Sequence, residues 1–371
     1  MAALTGNIRR VAISTGGGDA PGLNAVIHAV VLAALRRGWQ CFGLRDGYNG
    51  VLSPKEYADG GVVALGRENV KGITHLGGTI LGTTNRGNPF KFPMRQPDGT
   101  WREVDRSDEL IELLGRIGFD ALITVGGDGS LGIGHDLSKK GLRVIGVPKT
   151  IDNDLEKTFM TFGFDTAVAF ATECLDRLHT TATSHRRIMV VEVMGRYAGW
   201  IALHCGLAGN AHAILIPEIP YDIHKVAEVV HARERRGRNY TVVVVAEGAI
   251  PKHGEASVIG KAVGQAERLG GAGEKVAAQL QEMTGKETRT VVLGHLLRGG
   301  TPTAFDRLVA LRFGAAAVRA LAEGHSGVMI SLAPPTVRYV PLEDVVQRMK
   351  LVSLDSDTIA TGREIGVCFG D

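Results

Sequence analysis

The sequence predicts an α/β protein in which mainly parallel sheets are covered by helices on both faces. Short apolar runs, rich in β-branched residues, alternate with longer segments in which apolar residues recur three and four positions apart. The short runs are apolar throughout, as is typical of strands buried on both faces. The chain has 371 residues, 44% hydrophobic and 22% charged, which is enough for about two domains.

Each predicted element follows from one of these two patterns. Eight apolar runs predict strands, at residues 11–14, 121–125, 144–147, 188–193, 213–216, 241–246, 290–293 and 328–332. Six segments with helical spacing predict helices, at residues 23–37, 107–117, 166–179, 225–236, 275–283 and 306–322. The 50 glycines are spread along the chain at the ends of apolar runs, where they predict turns.

Composition excludes several classes of protein. The formal net charge is only +3 and no run of five basic residues occurs, so the electrostatic signature of a nucleic-acid-binding protein is missing. The four cysteines form no C-x-x-C pair, which favours free thiols in a reducing cytoplasm. Residues 1–10 lack the apolar stretch of a signal peptide, and the apolar helical pattern at residues 25–35 is too short to span a bilayer. We therefore expect a soluble cytoplasmic protein.

In parallel sheets, ligands bind beyond the carboxyl ends of the strands, so we expect the candidate site residues there. The segment GGGDAPG, residues 16–22, follows the first predicted strand and opens the first helix. Its glycines let the backbone approach a polyphosphate. The spacing matches neither the Rossmann nor the Walker pattern, and many such turns are only tight connections.

Two further segments carry the chemistry of phosphoryl transfer. PKTIDND, residues 148–154, places a cation, a hydroxyl and two carboxylates within seven residues, directly after a predicted strand. GGDGS, residues 126–130, follows another strand and offers a phosphate cradle with a third carboxylate for a metal ion. Together they favour an enzyme that transfers a phosphoryl group to a sugar hydroxyl.

Arginine and histidine at several strand ends could bind a phosphate monoester. A single arginine of this kind is more often solvated surface charge, and a lone histidine such as His295 is as often structural. Glu247, after a very apolar strand, suggests a carboxylate kept for a hydroxyl or a cation. The segments concerned are SHRR at 184–187, MGR at 194–196, AEG at 246–248, Arg289, and GHLLRGG at 294–300.

The ordered motifs closely resemble those of the phosphofructokinases, which phosphorylate fructose 6-phosphate at its 1-hydroxyl. They run from residue 16 to residue 300, most of the chain. In order they are GGGDAPGLN, LGGTILGTTNRG, GGDGS, PKTIDND, SHRR, VEVMGRYAG, AEG and GKETRTVVLGHLLRGG. The resemblance implies two Rossmann-like three-layer domains with the active site in the cleft between them.

The resemblance also implies catalytic roles. Asp152 matches the general base that takes the proton of the sugar hydroxyl, and Thr150 the contact to the transferred phosphoryl group. Arg196 matches the residue that neutralises charge building on that group. Asp128 matches the Mg²⁺ ligand, and Asp154 is expected to support the metal or Asp152.

Further positions correspond to binding residues of the family. The donor phosphates would be bound by Gly17, Gly18, Gly127, Gly129 and Ser130. Asn85 stands where related bacterial enzymes place a donor-contacting arginine, so we expect Arg86 to substitute for it. The sugar 6-phosphate would be bound by Arg187, Arg289, His295 and Arg298, with Met194, Gly195, Arg196 and Glu247 against the sugar. In the family, the residues matching Arg187 and Arg289 come from a neighbouring subunit, which implies a homo-oligomer, either a dimer or a tetramer.

The phosphoryl donor in this family is ATP or pyrophosphate, and two positions bear on the choice. Pyrophosphate-dependent members typically have Asp where this chain has Gly129, which blocks the ATP α-phosphate; glycine leaves that space open. They also typically have Lys where this chain has Lys149, next to the transferred group. The combination resembles a mixed-substrate group and favours ATP, with pyrophosphate as the alternative.

Other expectations concern regulation and domain boundaries. Bacterial members controlled by phosphoenolpyruvate and ADP have two arginines where this chain has His28 and Leu32, so we expect weak control by those ligands. We expect a donor domain at residues 1–160 plus about 299–326, and a sugar-phosphate domain at 161–298 plus about 327–371. A catalytically silent sugar-phosphate or nucleotide sensor and a NAD-kinase-like or lipid-kinase-like enzyme remain alternatives. The intact Asp128, Asp152 and Arg196 argue against the sensor. TIDND followed by MGR, together with His295 and Arg298, argues against the kinase-like enzymes.

Overall fold

The computed structural model describes residues 8–255, 257–260, 268–346 and 348–371, which form two compact units. The first unit comprises the described residues up to Thr150, together with Leu155–Gly163 and Arg298–Met349. The second comprises Ile151–Asp154, Phe164–Leu297 and Lys350–Asp371. The chain therefore passes between the two units several times.

The described strands, in chain order, are β1 Arg10–Thr15, β2 Gln40–Leu44, β3 Val62–Leu65, β4 Phe92–Arg95, β5 Trp101–Val104, β6 Ala121–Gly126, β7 Val144–Pro148, β8 Ile188–Val193, β9 Ala213–Leu215, β10 Thr241–Ala246, β11 Val258–Gly260, β12 Arg268–Leu269, β13 Thr288–Val292, β14 Val328–Ala333 and β15 Thr336–Pro341. The described α-helices are α1 Leu23–Leu35, α2 Asn49–Leu52, α3 Ser107–Ile117, α4 Asp128–Lys139, α5 Phe164–His185, α6 Trp200–Ala208, α7 Ile223–Arg235, α8 Ala272–Thr284, α9 Ala304–Ala322 and α10 Asp357–Glu364.

A seven-stranded sheet organises the first unit, in the order β15-β14-β7-β6-β1-β2-β3. The five strands from β14 to β2 are parallel, while β3 and β15 pair antiparallel at the two edges. Helices α1 and α9 pack on one face in a single apolar cluster, and α2, α3 and α4 pack on the other. The inner strands are thus buried on both faces, as their unbroken apolar runs predict.

A four-stranded parallel sheet organises the second unit, in the order β13-β8-β10-β9. Helices α7 and α8 supply the core of one face. Strands β8 and β10 lie in the centre and every residue of both is buried. The α/β class and the mainly parallel sheets predicted from the sequence are confirmed.

All eight predicted strands and all six predicted helices are present within a few residues of their expected bounds. The sequence analysis missed α4, whose sequence DGSLGIGHDLSK contains three glycines that weaken its helical pattern. It also missed strands β2, β3, β4, β5, β11, β12 and β15 and helices α2, α6 and α10. The first unit extends to Met349, beyond the expected boundary near residue 326, because β14 and β15 complete its sheet.

Within the described part of the chain, no helix combines the length and apolar character needed to cross a membrane.

A half-buried ring cluster supports the second unit next to its sheet. His212 donates its backbone N–H to the carbonyl of Val242 at 2.8 Å, and its ring Nδ1 accepts the Val242 N–H at 2.9 Å. The rings of His179 and Tyr240 lie 6.1 and 5.6 Å from the His212 ring, centroid to centroid. Burial, followed by the nearby Arg233 guanidinium, lowers the pKa of His212 to about 3.

This pKa predicts an acid-sensitive stability. The folded chain requires neutral His212, whereas the unfolded chain protonates it near the ordinary value of 6.5. The contribution is therefore fully present above pH 6.5 and is lost as the pH falls toward 3. At pH 5 the expected loss is at most about 2 kcal/mol. His212→Asn retains an acceptor for the Val242 N–H without a titrating ring, so its Tm should fall less between pH 8 and pH 5 than that of the wild type.

The matched control is His224→Asn on α7, where the histidine is exposed. This variant should keep the wild-type dependence of Tm on pH. Equal acid sensitivity in His212→Asn and the wild type would contradict the assignment.

Candidate active site

Three turns meet at the carboxyl ends of β1, β6 and β7 in the first unit. The parallel register pairs Thr15 with Val125 and Gly126 with Pro148. The turns that follow are joined by backbone hydrogen bonds, from Gly16 N to Val125 O at 3.0 Å and from Lys149 N to Gly126 O at 2.9 Å. GGGD, GGDGS and PKT thus lie side by side, although more than 100 residues separate the first from the second.

Close packing explains two of the glycines in these turns. A Cβ on Gly126 would lie 2.3 Å from the Cβ of Ser130, and one on Gly16 would lie 2.7 Å from its Oγ. Both distances are too short for a side chain. Ser130, in the first turn of α4, is therefore packed directly against both glycine turns.

A cavity of about 220 Å³ opens beside these turns. It contains four of the predicted donor-binding residues: Gly17, Asn85, Gly129 and Ser130. Gly16 belongs to the glycine segment singled out in the sequence, and Thr84 and Gly87 belong to the LGGTILGTTNRG motif. The sequence analysis missed the remaining lining residues, which are Ser14, Gly47, Tyr48, Asn88, Thr124 and Ile133. Tyr48 is buried and its hydroxyl lies 3.3 Å from the Thr124 Oγ1, and burial raises its pKa to about 12.

The N-terminus of α4 borders this cavity. Gly127 is the N-cap and Asp128 the first helical residue, and no side chain caps the helix. Uncapped N–H groups and the helix dipole favour a bound anion such as a phosphate. At Gly129, in the first turn, no atom beyond its chain neighbours and the helix backbone lies within 4 Å of the position that a Cβ would occupy. The side-chain position of Gly129 is therefore open.

Two cations contact the first glycine turn. The ammonium of Lys149, whose residue is 3% exposed, donates to the carbonyl of Gly18. The Arg298 Nη1 donates to the carbonyl of Asp19 at 3.2 Å, and a Cβ on Gly18 would lie 2.6 Å from that same nitrogen. A side chain at position 18 would therefore force the Arg298 guanidinium to move. Arg298 lies beside the first glycine turn in the first unit, whereas the other residues predicted to bind the sugar phosphate belong to the second unit.

The TTNRG segment supports the same turn from the other side. Gly17 donates its N–H to the carbonyl of Thr84 at 3.1 Å and accepts from the Thr83 hydroxyl at 2.6 Å. Asn85 and Arg86 are both exposed. Asn85 lines the cavity, and Arg86 follows it at the surface.

Asp128 fits the chemistry of a magnesium ligand. Its residue is accessible to solvent, yet partial desolvation by the surrounding protein raises the pKa of its carboxyl. A cation beside it would compensate for that desolvation. No group of three or more His, Cys, Asp or Glu side chains with metal-binding geometry occurs among the described residues. Mg²⁺ is commonly held by one or two carboxylates with substrate phosphates and water, so a single carboxylate suffices.

Ile151–Asp154, which follow Thr150, belong to the second unit. Thr150 is buried and its carbonyl accepts the Thr161 hydroxyl at 2.7 Å within the first unit. Asp152 is half-buried. Asn153, which follows it, adopts a left-handed conformation with φ of 51°.

The turn after β8 carries Met194, Gly195 and Arg196. Gly195 has φ of 142° and its carbonyl accepts the Gly248 N–H at 3.1 Å. A Cβ on Gly248 would lie only 2.0 Å from the carbonyl oxygen of Arg196. The AEG segment after β10, which contains Glu247, therefore packs against the backbone of the MGR turn and fixes its path.

Arg187 and Arg289 lie elsewhere in the second unit, and the expectation that all site residues follow the carboxyl ends of strands is wrong for these two. Arg187 precedes β8, and Arg289 is the second residue of β13. Glu287 joins them: its carboxylate lies 3.2 Å from the Arg187 Nη2 and 2.5 Å from the Arg289 Nη2.

These two arginines are thus at the amino edge of the sheet, with Arg196 beyond the opposite edge. The six residues of β8, at about 3.3 Å each, separate the edges by roughly 20 Å. A side chain cannot span that distance. The exposed His295 lies in a 3₁₀ helix, Gly294–Arg298, after the carboxyl end of β13.

Glycine turns and acidic residues meet at the carboxyl ends of parallel strands beside a cavity. This arrangement is typical of α/β phosphotransferases. The family model for phosphofructokinase matches residues 10–321. The chain belongs to the phosphofructokinase family.

Individual relatives cover nearly the whole chain. It is 49% identical over 363 residues to a protein of Chloroflexus aggregans named ATP-dependent 6-phosphofructokinase, covering 98% of both chains. It is 47% identical over 366 residues to a Streptomyces coelicolor protein named pyrophosphate–fructose 6-phosphate 1-phosphotransferase, covering 97% of this chain and 100% of the relative. The solved phosphofructokinase of Saccharomyces cerevisiae aligns with a TM-score of 0.76 and 30% identity, over 96% of this chain and 47% of that one.

The packing at Gly248 gives a prediction about the MGR turn. Gly248→Ala forces the backbone of Arg196 to move, because the added Cβ meets its carbonyl oxygen. We expect kcat to fall at least about tenfold. Gly115→Ala is the control, since it lies within α3 with open space around it and alanine favours helix. Wild-type kcat in Gly248→Ala would show that the turn tolerates displacement.

Proposed function

We propose that the chain transfers the γ-phosphoryl group of ATP to the 1-hydroxyl of fructose 6-phosphate, giving fructose 1,6-bisphosphate and ADP. Family membership and the relative at 49% identity support 6-phosphofructokinase activity. The observation that carries the choice of ATP is the open space at Gly129 beside the donor cavity.

Asp152 is the proposed general base. Its carboxylate takes the proton of the sugar 1-hydroxyl as that oxygen attacks the γ-phosphorus, and the bond from this phosphorus to the ADP oxygen breaks. Thr150 contacts the transferred group, while Arg196 and Lys149 neutralise its negative charge. The reaction needs positioning and charge neutralisation more than covalent help, which is what these side chain types supply.

Asp128 is the proposed magnesium ligand. Mg²⁺ held by Asp128 would neutralise charge on the donor phosphates. Gly17, Gly18, Gly127, Gly129 and Ser130 contact those phosphates, and Asn85 and Arg86 flank them.

The sugar phosphate is assigned to residues that follow strands β8, β10 and β13. Met194, Gly195 and Glu247 contact the sugar, and His295 and Arg298 bind its 6-phosphate. Arg187 and Arg289 complete this site from a neighbouring copy in a homo-oligomer, which agrees with their position at the amino edge of the sheet. Sugar phosphates and ATP are metabolites of the cytoplasm, where we place the enzyme.

Pyrophosphate is the second candidate donor. It is favoured by Lys149 and by the relative at 47% identity whose name specifies pyrophosphate. Both reactions use the same base and the same acceptor, so they differ only in what occupies the donor cavity.

Asp152→Asn tests the assignment of the base. Loss of the proton acceptor should lower kcat about 10²- to 10⁴-fold with little change in the KM for fructose 6-phosphate. Initial rates with ATP and Mg²⁺ measure this effect. An unchanged kcat would assign the base elsewhere, and absence of turnover by the wild type with either donor would favour the silent sensor.

Gly129→Asp tests the donor. A carboxylate fits the open space without steric conflict, but it would repel the ATP α-phosphate. We expect kcat/KM for ATP to fall at least about 100-fold, while any activity with pyrophosphate is retained. Gly129→Ala, which adds volume without charge, is the matched control and should keep most activity with ATP. Equal loss in both variants would mean that volume, and not charge, excludes the nucleotide.

A further inference from the structure

The loop that contains Asp152 depends on support from the C-terminal segment of the chain. Asn153 is 3% exposed and adopts a left-handed backbone conformation with φ of 51°. Asparagine accepts a left-handed conformation more readily than other residues with a Cβ, although only a small minority of non-glycine residues adopt it. Contacts to the buried Asn153 therefore help to set the backbone next to Asp152.

Lys350 contacts both residues that follow Asp152. Its ammonium donates to the Asn153 Oδ1 at 3.2 Å, and its backbone N–H donates to the carbonyl of Asp154 at 2.9 Å. These two hydrogen bonds involve different groups of one residue, so they fix both the side chain of Asn153 and the backbone after it. The position of Asp152 is constrained as a result.

The same lysine also contacts the helix that follows Arg196. The Trp200 Nε1 donates to the carbonyl of Lys350 at 2.8 Å, and the Lys350 ammonium lies 5.3 Å from the centroid of the indole ring. A cation over an indole face is an attractive arrangement. Trp200 is the first residue of α6, only four positions after Arg196.

Glu218 attaches the next residues of this segment to the same helix. Its carboxylate accepts the Val352 N–H at 2.9 Å and the N–H of Gly199, the N-cap of α6, at 3.0 Å. Burial raises the pKa of Glu218, although the two backbone N–H groups oppose that rise. Lys350 and Val352 therefore join the Asp152 loop to the start of α6 through two adjacent sets of hydrogen bonds.

We propose that Lys350 is a positioning residue for phosphoryl transfer, which holds the loop of the general base Asp152 in register with the turn of Arg196. The inference rests on the proposed function. It assigns a catalytic purpose to a segment, residues 350–352, that is about 200 residues from Asp152 in the chain. Lys350 affects kcat through the relative positions of Asp152 and Arg196, and it does not affect the binding of either substrate.

Lys350→Met, Lys350→Arg and Trp200→Phe test the proposal. Lys350→Met keeps the length of the side chain but removes the charge and the donor, and kcat should fall about 10- to 100-fold while the KM values for ATP and fructose 6-phosphate change less than about threefold. Lys350→Arg can donate to Asn153 and stack on the indole, so it should recover most of kcat. Trp200→Phe keeps an aromatic ring but removes the indole N–H and reduces the ring that the Lys350 ammonium faces, and its smaller loss should combine with that of Lys350→Met less than multiplicatively.

Lys225→Met is the matched control, because Lys225 is an exposed lysine on α7 with a weak ion pair to Glu228 at 3.8 Å. It should keep the wild-type kcat. Wild-type turnover together with an unchanged kcat in Lys350→Met would overturn the positioning role and leave the proposed function intact. A parallel loss of kcat, Tm and substrate affinity that Arg does not rescue would overturn it as well, since that pattern is purely structural. Absence of turnover by the wild type would overturn both.

Discussion

The parallel register of β1, β6 and β7 is the constraint on which the cavity beside the glycine turns depends. Parallel strands end at one edge of the sheet, so the turns that follow them meet there regardless of their separation in sequence. The register brings these turns within backbone hydrogen-bonding distance, and Gly16 and Gly126 are then the positions where a side chain would collide with Ser130. Part of the glycine content of the motifs is thus a requirement of the sheet, independent of any ligand.

The electrostatics of the first glycine turn follow from the same geometry. The carbonyl groups of Gly18 and Asp19 accept hydrogen bonds from the Lys149 ammonium and the Arg298 guanidinium, respectively. A carbonyl oxygen directed at a phosphate would repel it, so cations that engage these carbonyls make the turn compatible with an anionic donor. Both cations also leave a positive field at the edge of the cavity.

The sequence predicted the central sheets well because strands buried on both faces leave continuous apolar runs, as in β8 and β10. It predicted the glycine and acidic positions through the order of the motifs. It placed Arg187 and Arg289 at the wrong edge of the sheet. Their edge depends on the residue at which β8 and β13 begin, and the apolar pattern does not fix that residue. It also could not find Lys350, because a contact between residues 200 positions apart leaves no local pattern.

The structure also bears on the two sequence markers of the phosphoryl donor. Overall similarity cannot decide between donors, because relatives named for each are 49% and 47% identical to the chain. Lys149 has a structural purpose that applies to either donor: it is buried and donates to the carbonyl of Gly18 in the first glycine turn. Gly129 has no comparable packing role, since the space around it is open. A residue that packing does not require is the better indicator of what the cavity admits, so the balance of the two markers moves toward ATP.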